Sequence, residues 1–243
     1  MIEIKNVTKK FGDKVAVNDL TLTLNNGEIF GFIGPNGAGK STTIKMITGV
    51  SELDNGSISI DNFDIVKNPL EAKKQFGFVP DNPDLFLRLK GIEYLNFIGD
   101  IYEVNKDVRQ KRIEELSKKF EINDVLNDRI QSYSHGMRQK IVLIGALLSE
   151  PRVWILDEPM TGLDPKASFI LKEMMKEHAS KGYTVFFSTH VLEVAEKLCD
   201  RIGIINNGKL VYCGTMDELK EKYQGMDLEQ IFLTITKEGN SNE

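Results

Sequence analysis

The stretch GFIGPNGAGKSTTIKMITG, residues 31–49, decides how the rest of the chain is read. Small and apolar residues lead into a turn carrying Gly34, Gly37 and Gly39, and a lysine, three hydroxyl residues and an apolar periodic segment follow. A turn with so few side chains leaves its backbone N–H groups free to converge, and the residues after it read as the first turns of a helix. Converging N–H groups at a helix N-terminus suit an anion. The guest implied is a phosphate.

The 243-residue chain is 41% hydrophobic and 28% charged, which allows a sizeable core in one large or two small domains. Its 31 basic and 36 acidic side chains give a net charge of −5, so no global positive field recruits nucleic acid, and none is expected as a partner. A phosphate site must be local. The opening MIEIKNVTKKF has no basic segment followed by a sustained apolar one, and the densest apolar run, IVLIGALL at 141–148, is far below the roughly 20 residues that cross a bilayer. Neither an export signal nor a membrane span is expected. Cys199 and Cys213 lie in apolar surroundings without metal-ligand spacing, and are expected as buried, reduced thiols of a cytosolic chain.

Around the glycine turn the first part of the chain is β-rich: IEIKNV, the alternating LTLTL, a turn at NNGE, and IFGFI. GSISI and FGFVP are further short strands, with a helical stretch near 69–75 between them. From about Leu85 to Glu150 the pattern turns helical, through GIEYLNFIGDIY, KDVRQKRIEELSKKF and HGMRQKIVLIGALLSEP. Strands RVWIL, YTVFFS and RIGIIN then alternate with helices KASFILKEMMKEHASKG and VLEVAEKLCD, which argues a largely parallel sheet. The expected organisation is an α/β core over 1–84 and 151–214, a helical insertion over 85–150, and an amphipathic tail over 215–243. The tail opens with a capping-box pattern at Thr215 and Glu218 and ends in the polar KEGNSNE.

Gly34, Pro35, Asn36, Gly37, Ala38, Gly39, Lys40 and Ser41 satisfy G-x-x-x-x-G-K-[ST], the P-loop pattern. In it the backbone N–H groups surround the phosphates, Lys40 puts a positive charge on the outer ones, and Ser41 offers a hydroxyl to Mg²⁺, with Thr42 beside it. A second element, RVWILDEPM, is an apolar strand ending in Asp157 and Glu158. Asp157 is placed to hold Mg²⁺ through water, and Glu158 to orient or deprotonate an attacking water. Of the histidines, His190 closes the strand TVFFST, and His178 sits in a polar helical stretch and is expected in solvent.

With SHGMRQK after a helical insertion, then LDEPMTGLDP and STH, nearly the whole chain resembles the ATP-binding subunit of an ABC transporter. That resemblance implies a P-loop NTPase core with an N-terminal antiparallel β part, a largely parallel sheet and an inserted helical subdomain. It implies that Ser134 and Gly136 belong to a signature motif whose helix N-terminus binds the γ-phosphate of nucleotide held by the opposite subunit. Leu163 and Asp164 match the D-loop, His190 the switch histidine, and Phe11 the aromatic that stacks on adenine. Two departures stand out. The signature reads Tyr133-Ser134-His135-Gly136-Met137 in place of a leucine-serine-glycine-glycine-glutamine series, and Asp81 replaces the glutamine that contacts Mg²⁺ and the membrane partner.

The resemblance implies an ATPase with ATP and Mg²⁺ as cofactors, forming a homodimer or heterodimer of ATP-binding subunits. It places the chain in the cytoplasm, on the inner face of the membrane through an integral permease. GTMDEL and DLEQIFLTIT look like ABC-2 type exporters. The alternative is a soluble ABC ATPase acting on a macromolecular complex; the second cassette of ribosome-acting members and the long coiled coil of DNA-acting ones are both missing from the sequence. A non-hydrolysing nucleotide module is disfavoured by the intact Asp157 and Glu158.

Overall fold

A computed structural model describes residues 1–238; the last residues of the expected polar tail lie outside them. Strands β1 (Ile2–Phe11) and β2 (Lys14–Leu24) pair antiparallel, and β3 (Ile29–Ile33) leaves them for a second sheet. After the glycine turn comes helix α1 (Lys40–Ile47). Strands β4 (Asn55–Ile60) and β5 (Phe63–Asp64) complete a four-stranded antiparallel sheet in the order β2-β1-β4-β5. Period-2 alternation explains its single buried face: Leu20, Leu22 and Leu24 turn inward with Ile2 and Ile4, while Thr21 and Thr23 face solvent.

Helix α2 (Pro69–Lys74) leads to β6 (Phe76–Val79), and α3 (Gly91–Ile101), α4 (Lys106–Lys119) and α5 (His135–Leu147) follow. The chain then alternates through β7 (Val153–Leu156), α6 (Pro165–Ser180), β8 (Thr184–Thr189), α7 (Leu192–Leu198), β9 (Arg201–Asn206) and β10 (Lys209–Gly214). The second sheet runs β10-β9-β3-β8-β7-β6, parallel from β9 to β6, with β10 antiparallel at the edge. All five residues of β3 are buried, as a central strand covered on both faces requires. Helix α5 is enclosed in the same way, since Ile141, Val142, Leu143 and Ile144 are all buried. It shares one apolar cluster with Leu95 and Ile113 of the neighbouring helices and with Val79, Leu156 and Phe187 of the sheet.

Helix α8 (Met216–Lys222) starts with the expected capping box, in which the Thr215 hydroxyl accepts from the Glu218 N–H and the Glu218 carboxylate accepts from the Thr215 N–H. Helix α9 (Leu228–Glu238) buries Ile231 and Ile235 against Met216, Leu219 and β9. Three expectations need correction. His178 is buried and not solvated: its ring stacks on Trp154 with centroids 4.1 Å apart. Cys213 is exposed and not buried, because it lies on the edge strand β10, where its Sγ accepts from Arg201. Cys199 is half-buried, its Sγ filling the space a side chain at Gly31 would need. Both thiols are free. Strand β10 is an addition to the expected elements.

Candidate active site

The P-loop, the two acidic residues and His190 lie at one end of the parallel sheet, where β3, β7 and β8 stop, and Phe11, Lys14 and Ala16 join them from the antiparallel sheet. The turn between β3 and α1 depends on Gly39: its φ is 111°, and a Cβ there would stand 2.6 Å from the Ala16 carbonyl oxygen. No other residue type fits that combination. The turn is braced from behind, since the Ala38 carbonyl accepts from the Gly208 N–H at 2.9 Å and the buried Thr43 hydroxyl donates to the Gly39 carbonyl. Lys40, only 6% exposed, donates through Nζ to the Gly34 carbonyl at 2.7 Å and reaches to 3.7 Å from Glu158 Oε1.

The acidic half comes from the end of β7. Asp157 still belongs to the sheet, with its N–H donating to the Val79 carbonyl at 2.8 Å, but Glu158 turns out of it with φ of 48°. A left-handed non-glycine residue costs roughly 1–3 kcal/mol and persists only where its surroundings impose it. Asp157 is 2% exposed. Burial pushes its carboxyl pKa up, the hydrogen bond from the Ser188 hydroxyl and the nearby Ser41 hydroxyl pull it down, and the charges of Asp81 and Glu158 push it up again. Glu158 Oε2 lies 3.0 Å from His190 Nδ1.

Lys40, Glu158 and His190 open onto a cleft of about 450 Å³. Of the residues expected in the site, Phe11, Asn36, Gly37, Gly39, Lys40, Ser41, Thr42, Asp81, Glu158 and His190 line it. Phe11 is 57% exposed, an aromatic face open to solvent beside the P-loop. Gly34, Pro35, Ala38 and Asp157 do not line the cleft; the carbonyls of Gly34 and Pro35 hold Lys40, and Ala38 and Asp157 are buried behind its wall. Lys14, Ala16 and Thr161 line it without having been expected.

Ser134 and Gly136 are not brought to this cleft. They start α5, where the Ser134 hydroxyl accepts from the Met137 N–H as an N-cap. The turn beyond Glu158 packs against this helix start closely enough that a Cβ on Gly162, whose φ is 77°, would stand 2.2 Å from the His135 ring. Asp164 caps α6 through the Ala167 N–H and pairs with Lys140 of α5 at 2.7 Å.

A divalent cation is testable against these residues. Among the described residues no three acidic, histidine or cysteine side chains gather closely enough to hold a metal by themselves. What the site offers is one buried carboxylate, Asp157, with the Ser41 hydroxyl near enough to lower its pKa and two further carboxylates whose charges raise it. This oxygen-only, incomplete set fits Mg²⁺, which keeps waters and substrate phosphates as ligands and needs no all-protein cage.

A family profile described as ABC transporter matches residues 17–161. The chain is 37% identical over 246 residues to the ABC transporter ATP-binding protein NatA of Bacillus subtilis (strain 168), covering 99% of this chain and all of that one. It is 35% identical to the Nod factor export ATP-binding protein I of Burkholderia lata, over 95% of this chain and 76% of that protein. Among solved structures, an ATP-binding subunit of an ABC transporter superposes with a TM-score of 0.92 at 34% identity, covering 97% and 99% of the two chains. The cassette MJ0796, solved as a dimer in a post-hydrolysis state with ADP and Pi, superposes with a TM-score of 0.80 at 26% identity, over 89% and 99%. The P-loop facing two strand-end carboxylates, set in this fold and matched along its whole length, places the chain in the ABC transporter family as one of its ATP-binding, ATP-hydrolysing subunits.

Proposed function

We propose that this chain is the motor of an exporter: two copies close around ATP, hydrolysis lets them part, and the motion is passed to a separate membrane permease. The observation that carries the reading is the position of Glu158, whose carboxylate lies between Lys40 at 3.7 Å and His190 at 3.0 Å on the wall of the P-loop cleft. A carboxylate so held can take the proton of an attacking water, while Lys40 meets charge developing on the outer phosphate. Phe11 offers a face for adenine. Asp157 and Ser41 would hold Mg²⁺, which supplies positive charge to the phosphate oxygens; Asp81 lines the cleft, and its charge reaches Asp157.

The dimer follows from what the cleft lacks. Ser134 and Gly136 lie on the same chain but outside the cleft, so a second copy, presenting its own α5 N-terminus, completes each site. The dimeric state of MJ0796 supports this reading. Among the described residues no helix is long and apolar enough to cross a membrane, which fits a peripheral subunit held on the cytoplasmic face by its permease.

The permease contact is proposed for the helical unit over 85–150 together with the loop before it. Leu85, Phe86 and Phe97 are 37%, 46% and 42% exposed, and Phe86, Leu87, Leu89 and Phe97 line an apolar groove. The loop touches both ends of the machine. Asp81 lines the cleft, and Asp84 accepts from Arg138 of α5 at 2.6 Å. The exporter class rests on the C-terminal resemblance and on the likeness to a Nod factor export protein. The second reading, a soluble ABC ATPase that acts on a macromolecular complex, would use the same groove against another partner; the exporter likeness favours the permease.

The test is Ser134→Arg. The shared site predicts that ATP still binds to each monomer while turnover and ATP-driven dimerisation are lost. Wild-type turnover in this variant would remove the signature helix, and with it the second copy, from the reaction.

A further inference from the structure

Ser188 is assigned no role by the P-loop, the strand-end carboxylates or the signature, yet it touches both carboxylate residues. It is fully buried on β8, one residue past the last ladder pair with β7, Leu156 opposite Phe187. The parallel register therefore carries Ser188 alongside the point where β7 ends and the chain turns. Its hydroxyl donates to Asp157 Oδ1 at 2.6 Å and accepts from the Glu158 N–H at 2.9 Å. A hydroxyl has one proton, and an ionised carboxylate only accepts, so donation to Asp157 fixes the rotor and aims a lone pair at the Glu158 amide.

That amide needs the partner. Asp157 makes the last ladder bond, to Val79, whereas Glu158 has left the sheet with φ of 48°. Without Ser188 its N–H would be a part-buried donor without this partner at a strained residue, and the φ angle would lose the bond that holds it. The same turn directs the Glu158 carboxylate to Lys40 and His190. His190 stands two residues beyond Ser188 at the end of the same strand, so the backbone and the carboxylate of Glu158 are both held from β8.

We infer that Ser188 is a positioning residue for hydrolysis: its hydroxyl latches the Glu158 backbone in the left-handed turn that presents the carboxylate to the attacking water. The inference rests on the reading of Glu158 as the general base. It separates turnover from nucleotide binding, because the P-loop and Phe11, which hold the nucleotide, do not touch Ser188; an effect through its bond to Asp157, and so through Mg²⁺, would persist in the Glu158→Gln background, where the latch has nothing left to position.

The experiment compares Ser188→Ala, Ser188→Thr and Glu158→Gln, alone and combined, in ATP turnover and equilibrium ATP binding. Removing one oxygen from a buried site leaves no large cavity, and circular dichroism checks the fold. Ser188→Ala should lower kcat about 100-fold, the scale of a misplaced catalytic group, with ATP affinity near wild type. Ser188→Thr, which keeps the hydroxyl, should restore most of the loss. Adding Ser188→Ala to Glu158→Gln should cost little more, because a latch acts only through what it positions. Wild-type kcat in Ser188→Ala would overturn the inference, as would a parallel loss of ATP affinity, or full, additive losses in the double variant. If Glu158→Gln alone turned over normally, the reading of Glu158 would fail first, whatever Ser188→Ala did.

Discussion

Glu158 and His190 meet at 3.0 Å across the ends of the adjacent parallel strands β7 and β8, joining the end of one apolar strand to the end of the next. The histidine ring is more exposed than the carboxylate it touches, so it is free to follow the substrate while Glu158 stays fixed. In His190→Ala the carboxylate keeps Lys40 but loses its second contact. Turnover should fall by about tenfold or more while ATP binding persists, measured by steady-state ATPase and equilibrium binding.

Lys40→Ala should lower turnover by about 100-fold or more, because the transferred phosphoryl group loses the cationic side chain the turn supplies. Lys40 is buried but polar, held by two backbone carbonyls, so the fold should survive. ATPase assay and circular dichroism on both proteins check the two statements; unchanged turnover would refute the role.

The His178 pKa is lowered to about 4, chiefly by burial, with a hydrogen bond at the Arg152 backbone opposing the shift. The unfolded chain binds this proton near pH 6.5 and the folded chain only near pH 4. The stabilisation is therefore present above about pH 6.5 and is lost as the pH falls toward 4, by an amount on the order of 2 kcal/mol. The slope of unfolding free energy against pH in this window should flatten in His178→Phe, which keeps an aromatic ring against Trp154. An unchanged slope would place the acid sensitivity elsewhere.

Phe86→Asp tests the permease contact. Phe86 is 46% exposed but also meets the rings of Tyr94 and Phe97 at 5.5 and 5.6 Å, so it is part anchor and part surface. The proposal expects intact ATP-driven dimerisation with lost co-purification of the membrane partner. Loss of folding would make Phe86 core, and unchanged co-purification would remove it from the interface.

Much of this was legible because the chemistry is local in sequence. Six contiguous residues from Gly34 to Gly39 make the turn, and an apolar run ending in Asp157 and Glu158 announces the acidic half. The hidden parts depend on register or on helix facing. Ser188 acquires its role only when β8 lies beside β7, and nothing in its neighbours along the chain reveals that. His178 looks solvated in a polar stretch, yet it falls on the inward face of α6 with Leu171 and Met175, a spacing of four and three residues that carried the signal. Strand β10 was announced by Asn207-Gly208, a dipeptide suited to tight hairpin turns, and Asn207 does adopt a positive φ of 46°. Cys213 lies near the end of that edge strand, past a register shift in its pairing, and is exposed.

The central claim, a base-activated site completed by a second copy, is tested most directly by sedimentation of Glu158→Gln with ATP and Mg²⁺. The amide keeps the size of the side chain and loses its basicity, so ATP should bind and not turn over. The account predicts a stable dimer with ATP and a monomer with ADP. A protein that binds ATP and remains monomeric would contradict it.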